Sequence, residues 1–595
     1  MKNSALRQYV MAKSQSLPHV LKDCDLVIDA ASFFKDTYRS SGFQYILGTD
    51  CDRYADLIVS KLSSFLDSEI KCHVIFNGAT KHELDKREEI HQHIIDNRTY
   101  EDNLNNVTYF RPLFVKEVEK QVLEKMDIKY FMCEYDSIEA IVGVARKFKC
   151  PVLTNNIEYT VYDISCIPLN SLEYEKTNNQ IKCQIYEHDA VKTAFGVYGK
   201  MPLLLSLLND NSGYLEELTE ILPLVHSELI FPVIKWVKRQ REASLVDTVS
   251  QMIDDVDQKK AFLKNYEKQL TLYLYPSCHL AVKYFQRDKQ HGLFKNDKKW
   301  FATGVANGRI ALPYVNLKKK GIICGSLIVN DSDRPDALLA AMDIIIYSHC
   351  ILSNSQDSTI TLIERKHNST SIRDIDTYWD KEISNRDIFS KTSVEKKRNL
   401  IMDETDSFQK FLKNILKGYN SNQALVVVPE NCLILVITLV YYIAKKNNNF
   451  INAAYCVLLS YVILGPVSKK IAKLKKCGIS NNERDCTIFY NGLRFLFKEV
   501  DVKEKIKSSI VHDFSEFQHC LQHMNYLNKL CGERTPCTVY HNTYNATFIY
   551  NTFLFMKDKN NLMNFLGNEF KGSHYLNLYK NIVNAFEKCL SAVKA

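Results

Sequence analysis

Strand-like and helix-like pulses alternate through the first 170 residues, and that alternation leaves few folds open. KDCDLVIDAASFF (22–34) is a β-rich pulse ending at Asp29. CDRYADLIVSKLSSFL (51–66) carries apolar residues at helical spacing, and KCHVIFNG (71–78) is a strand stopped by Asn-Gly. PLFVKEVEKQVLEKM (112–126) predicts an amphipathic helix with Val115, Val118 and Val122 on one face. IKYFMCEY, SIEAIVGVARKF and CPVLTNN then read as strand, helix and strand. Such a pattern predicts an α/β fold, a parallel sheet flanked by helices. Right-handed crossovers place every strand C-terminus on one edge, where α/β proteins bind ligands and metals. That edge would collect Asp29, Asn77, the 134–139 group, and Asn156 with Glu158.

At 595 residues the chain exceeds one core, and length alone suggests about three or four domains. A composition of 46% hydrophobic and 25% charged residues excludes global disorder. A net charge of +8 over this length permits a nucleic-acid surface, which depends on clustering rather than on the total. The 18 cysteines show no C-x-x-C pair, and the opening residues have no secretory-type apolar core. Both point to reduced, buried thiols in a nuclear or cytoplasmic protein. CLILVITLVYYIA (432–444) and INAAYCVLLSYVILG (451–465) are each shorter than the ~20 residues of a spanning helix, so buried helices and no membrane are expected. The division expected is 1–245 for the sheet domain, 246–375 for a mostly helical middle region, and 376–595 for a helical C-terminal region.

Four blocks then acquire a common meaning. LVIDAASFF, GTDCDRYADLIVSKL, VIFNGATKHELDKR and CPVLTNNIEYTVYDISCIPLNSLEY together resemble the asteroid family, within the flap-endonuclease and xeroderma-group-G superfamily of PIN-like nucleases. KKWFATGVANGRIALPYVNLKKKGIICGSLI and ALLAAMDIIIYSHC resemble that family's middle region, so the likeness runs over roughly residues 1–350. It implies two-metal phosphodiester hydrolysis of DNA bearing a flap or single-stranded overhang, in DNA repair, with Mg²⁺ or Mn²⁺ clamping the attacking and leaving oxygens. Hard cations require oxygen ligands, and the family gathers up to seven carboxylates at the sheet edge.

Carried over by position, the resemblance keeps three of those acids: Asp29, Asp136 and Glu158. Asn77, Ile138, Asn156 and Asn211 stand where the family has the others, with Glu134, Glu139 and Asp210 adjacent as substitutes. Three carboxylates under-neutralise two divalent ions, and amide oxygens hold Mg²⁺ weakly. Lys81 or Lys86, with Arg87, would steer the scissile phosphate as a point charge and a fork, although Glu83–Arg87 also fits a solvated helix pair. Lys2 stands where the family has glycine, and NDNSGYLEELTE offers one glycine, Gly213, for a phosphate-gripping hairpin. The resemblance thus implies either a metal-dependent endonuclease or a catalytically silent descendant. The silent form would be a scaffold for nucleic acid or for a protein partner docked on the helical C-terminal part.

Weaker signals remain. His519 and His523 lie four apart, with Cys531 and Cys537 following at a spacing unusual for zinc. The tyrosines at 273–275 and 540–554 could stack bases, with core packing as the default reading. LKKKG (317–321) and IAKLKKC (471–477) are basic runs that could touch phosphate, with solvated helix ends as the default.

Overall fold

A computed structural model describes residues 9–43, 48–80, 112–197, 199–208, 230–239, 245–274, 279–286, 300–325, 331, 333–353, 357–366, 369–378, 407–416, 425–476, 485–498, 508–533, 535–556 and 559–595. The chain divides into two compact units built from interleaved segments. The first comprises Met1–Thr37, Ser60–Gly78 and Met126–His291, and the second Tyr38–Val59, Ala79–Lys125 and Gly292–Ala595.

The first unit contains β1 (Leu17–Leu21), β2 (Asp25–Asp29), β3 (Lys71–Phe76), β4 (Tyr130–Met132), β5 (Val152–Leu153), β6 (Cys166–Ile167), β7 (Glu173–Glu175) and β8 (Gln180–Ile185). Five of these form a parallel sheet in the order β4-β3-β2-β5-β6. Strand β2 is central, with Val27 beside His73 on one side and Val152 on the other. Its residues Leu26, Val27 and Ile28 are fully buried, as a strand covered on both faces requires. Helix α1 (Ala30–Ser40) follows β2 without a loop, and helix α2 (Ile138–Phe148) packs against β2. Phe34 stacks on Phe76 at 5.5 Å, and Phe148 on His73 at 4.4 Å. The chain runs outward from β2 to β3 and β4, then returns to β2's other side for β5, so the switch point lies at the C-terminal end of β2.

A second sheet, antiparallel in the order β1-β8-β7, lies outside the alternating strand–helix pattern. In β8, Ile181, Cys183 and Ile185 face inward while Lys182 and Gln184 face solvent, the alternation of a one-sided sheet.

In the second unit, β9 (Ile322–Cys324) runs parallel to β10 (Asp357–Lys366), which pairs antiparallel with β11 (Ser369–Tyr378). The middle region expected as mostly helical therefore includes a ten-by-ten-residue hairpin. The C-terminal part is helical, as expected. Both apolar segments are core helices, Leu433–Lys445 and Ile451–Val462. By length and composition the continuous helical run Asn448–Lys476 could cross a membrane, yet 83% of its most apolar window is buried inside the protein. Pro466 sits in a π turn there (Ile463–Val467), and the Ser468 hydroxyl bonds the Ile463 carbonyl at 2.8 Å where the ladder is broken. The run continues as helix α3 (Ser468–Lys476), followed by α4 (Asp485–Leu493), α5 (Ser508–Leu530), α6 (Ala546–Phe555) and α7 (His574–Lys594).

Helix α5 is buried around much of its circumference despite a polar sequence. Gln522 donates to the Leu113 carbonyl at 2.9 Å, Asn525 to the Tyr540 hydroxyl at 2.8 Å, and Gln518 to the Tyr544 hydroxyl at 3.0 Å. The helix Val115–Lys125 departs from its amphipathic expectation. Besides Val115, Val118 and Val122 it buries Glu117, Glu119 and Lys120. Glu117 is bonded by Lys120 at 2.7 Å and Tyr526 at 3.0 Å, and Glu119 by Tyr54 at 2.8 Å, so each buried carboxylate has a donor and Lys120 an acceptor. His519 and His523 lie in this core with ring centroids 6.3 Å apart, and the Cys537 thiol is bonded by Asn528. Among the described residues no three His, Cys, Asp or Glu side chains form a metal-holding group. Tyr540, Tyr544 and Tyr550 are core residues, each 1% exposed.

Candidate functional site at the sheet edge

The C-terminal edge of the parallel sheet brings together the positions singled out along the sequence. Asp29 ends β2 and is only 4% exposed. Its Oδ1 accepts from the backbone N–H groups of Ala31 at 3.1 Å and Ser32 at 3.4 Å, which caps α1. Its Oδ2 accepts from the hydroxyls of Ser32 at 2.7 Å and Thr154 at 2.8 Å. Thr154 follows β5, and its hydroxyl oxygen also accepts the Asn156 N–H at 2.9 Å. The Asn156 side chain in turn accepts the Glu158 N–H at 3.3 Å, starting the 3-10 turn Ile157–Tyr162. A continuous hydrogen-bond relay therefore connects Asp29 to Glu158.

A second branch follows β3. Asn77 accepts a hydrogen bond from the hydroxyl of Ser137, which precedes α2. Gly78 donates to the Tyr135 carbonyl at 2.6 Å, and a Cβ there would lie 2.2 Å from the Glu134 backbone, so only glycine fits. Asp136 is exposed, with Oδ1 accepting the Ile138 N–H at 2.9 Å. Ile138 opens α2, Glu139 is exposed in its first turn, and Glu134 is half-buried beyond β4.

The charges of Asp29, Asp136 and Glu158 all bear on the turn Ile157–Tyr162. The Tyr159 phenol is pushed well above its ordinary range, first by burial and then by the charges of Asp29 and Asp136. Tyr162 is raised by burial and then by Glu158 and Asp136. Glu158 itself is raised to about 7 by burial, against which its bond with Asn156 acts. Lys81, Lys86, Arg87, Asp210 and Asn211 lie outside the described residues, as does Gly213.

Among the described residues the donor set does not suit a two-metal centre. A carboxylate offers about four acceptor directions, and Asp29 uses four on protein donors. Asn77 is engaged by Ser137 and Asn156 by the turn it caps. No described trio of acids, histidines or cysteines converges for a cation. The hydroxyls of Ser32, Thr154, Ser137 and Tyr159 also occupy this edge, and no motif built on acids points to them. The helix start itself was legible, because an Asp at a strand end ahead of an Ala-rich run is a favoured N-cap.

Comparisons with known proteins each bear on part of the chain. A model of the Asteroid N-terminal domain matches residues 431–595, outside the 1–350 stretch that carries the sequence resemblance. The human protein named Single-strand DNA endonuclease ASTE1 is 25% identical over 203 residues, 32% of this chain and 30% of the relative. The Drosophila melanogaster Protein asteroid is 24% identical over 169 residues, 28% of this chain and 19% of the relative. The alignments thus span less than a third of these relatives' lengths. Among solved structures, human GEN1 in complex with Holliday junction DNA aligns at 13% identity and TM-score 0.29, covering 48% of this chain and 67% of that one. The catalytic core of Rad2 in complex with DNA substrate aligns at 13% identity and TM-score 0.25, covering 46% and 84%.

Proposed function

We propose, on the premise that this is an asteroid-like chain, that it is a nuclease-like nucleic-acid-binding protein that engages DNA with a single-stranded overhang or flap and has lost two-metal hydrolysis at its sheet edge. The observation that carries this reading is the saturation of Asp29 by Ala31, Ser32 and Thr154. An acid whose lone pairs are all bonded by protein donors holds strand and helix together, and a cation would have to displace those donors. The asteroid likeness supports a nucleic-acid partner, because several of the matched relatives carry the name Single-strand DNA endonuclease ASTE1. The described cysteines are free thiols, most of them buried, which supports a nuclear or cytoplasmic setting.

A second reading, residual hydrolysis, is favoured by Glu158. A carboxyl held at about 7 suits general acid–base work near neutral pH, and Asp136 is exposed beside the same turn. The deciding experiment incubates labelled flap and 3′-overhang DNA with Mg²⁺ or Mn²⁺, using Asp29→Ala as control. Binding without cutting is expected. Cutting by the wild type that vanishes in the control overturns the silent-site reading.

A further inference from the structure

The basic run near residue 471 has a structural setting that neither the sheet edge nor the core absorbs. Helix α3, SKKIAKLKK, contains no acid and buries Leu474 alone. Lys469, Lys470, Lys473, Lys475 and Lys476 are all exposed, and none forms an ion pair among the described residues. Lys469, Lys473 and Lys476 are spaced four and three apart, on one face. Helix α3 packs against α4, which is nine residues, about 13 Å, long and leads directly into the short turn Arg494–Phe497. Exposed rings stand at that turn. Phe495 is 40% and Phe555 53% exposed, with centroids 5.5 Å apart, and Phe565 braces both from 6.4 and 5.6 Å.

The turn is held firmly. Asn551 of α6 donates to the carbonyls of Leu496 and Lys498, both at 2.8 Å. Arg494 and Lys498 flank Phe495 and are exposed. Of the carboxylates nearby, Asp485 accepts the His574 N–H at 2.9 Å and Glu587 is bonded by Lys559 and by Tyr455, while Asp56 is exposed and acts on Tyr490 of α4.

We infer that helix α3 and the Phe495–Phe555 ledge form a binding surface for single-stranded nucleic acid, the lysines meeting phosphates and the rings meeting unpaired bases. Cations beside accessible aromatic faces are what a strand with both charged backbone and bare bases requires. Duplex offers phosphate but no free base face, and an acidic protein would leave the rings without purpose. The occupant rests on the nucleic-acid reading proposed above, and the surface is a different one from the sheet edge.

The test uses the full chain and a short labelled oligothymidylate, read by anisotropy over a salt series. Lys469→Gln/Lys473→Gln/Lys476→Gln should weaken binding about tenfold and flatten the log–log salt slope by about 2, since each single-strand phosphate contact contributes about 0.7. Phe495→Ala/Phe555→Ala should weaken binding about tenfold with the slope unchanged, and Phe495→Tyr should restore most of it. These positions are exposed, and circular dichroism melts check that the variants fold. Wild-type binding matched by both variants overturns the surface while leaving the functional reading standing. Tighter binding of duplex than of single strand also overturns the surface. A wild type that binds no nucleic acid overturns the functional reading with it.

Discussion

Replacing Asp29 separates a structural acid from a metal ligand by the sign of its effect. Asp29→Ala removes the α1 cap, a loss of about 1 kcal/mol. It also removes the Ser32 and Thr154 hydroxyl bonds to a carboxylate 4% exposed, about 1.5–3 kcal/mol for a bond to a charged group. The bonds share one acceptor and do not add fully, so the net loss is about 3–4 kcal/mol. At about 2–4 °C per kcal/mol for a unit of this size, the melting temperature should fall by roughly 6–16 °C. The assay is a thermal melt of wild type and variant in chelator and in excess Mn²⁺. A ligand carboxylate behaves oppositely: at about 100 times Kd, a cation would stabilise the wild type by about 2.7 kcal/mol and leave the variant unmoved. An Asp29→Ala protein that melts at or above wild type in chelator refutes the reasoning, as does a Mn²⁺-dependent rise confined to wild type.

Thr154→Val should cost about 1–3 kcal/mol, because it leaves the Asn156 N–H without its acceptor and Asp29 short of a donor; an unchanged melt contradicts the relay. Asn77→Asp with Asn156→Asp should leave the melt insensitive to Mn²⁺ while Asp29 remains bonded by Ser32 and Thr154, and a metal-dependent shift would show that the edge still accepts a cation. Glu158, raised to about 7 from its ordinary 4.5, holds its proton more tightly folded than unfolded, so its contribution declines as pH rises between those values. Glu158→Gln should therefore stabilise by roughly 1–2 kcal/mol at pH 8 after allowance for screening and do little at pH 5, whereas a pH-independent difference between the two melts would exclude the proton linkage. Gly78→Ala places a methyl within 2.2 Å of the Glu134 backbone and should abolish soluble, folded protein, as judged by expression and circular dichroism.

The parallel sheet was legible because its strands are short apolar runs. Leu26–Ile28 and Val74–Phe76 must be covered on both faces, and Asn-Gly after Phe76 admits no continuation. The convergence of Asp29, Asn77, Asp136 and Glu158 followed from strand direction alone. Ser32, Thr154 and Ser137, whose hydroxyls take up those acids and amides, carry no such signal, since a motif of metal ligands is written in acids. The hairpin β10–β11 was written plainly in Ile360 and Leu362 facing inward between Thr359 and Thr361, which bond Asp376 and Asp374. Its polar outer face hid it within a region expected to be mostly helical. The charges of Val115–Lys125 could not be read as buried, because their partners Tyr54 and Tyr526 are remote along the chain.

That remoteness governs how the molecule is made. Gln121 donates to the Thr538 carbonyl at a separation of 417 residues, and Gln522 to the Leu113 carbonyl at 409. A nascent chain therefore presents the segment around Leu113 early and holds it unpaired until nearly all of the polypeptide has left the ribosome. Contacts of such separation close slowly and expose apolar surface meanwhile. The second unit is therefore expected to mature only after release and to depend on chaperones during synthesis, and a fragment ending before Ser508 should leave the early helix without a place to dock.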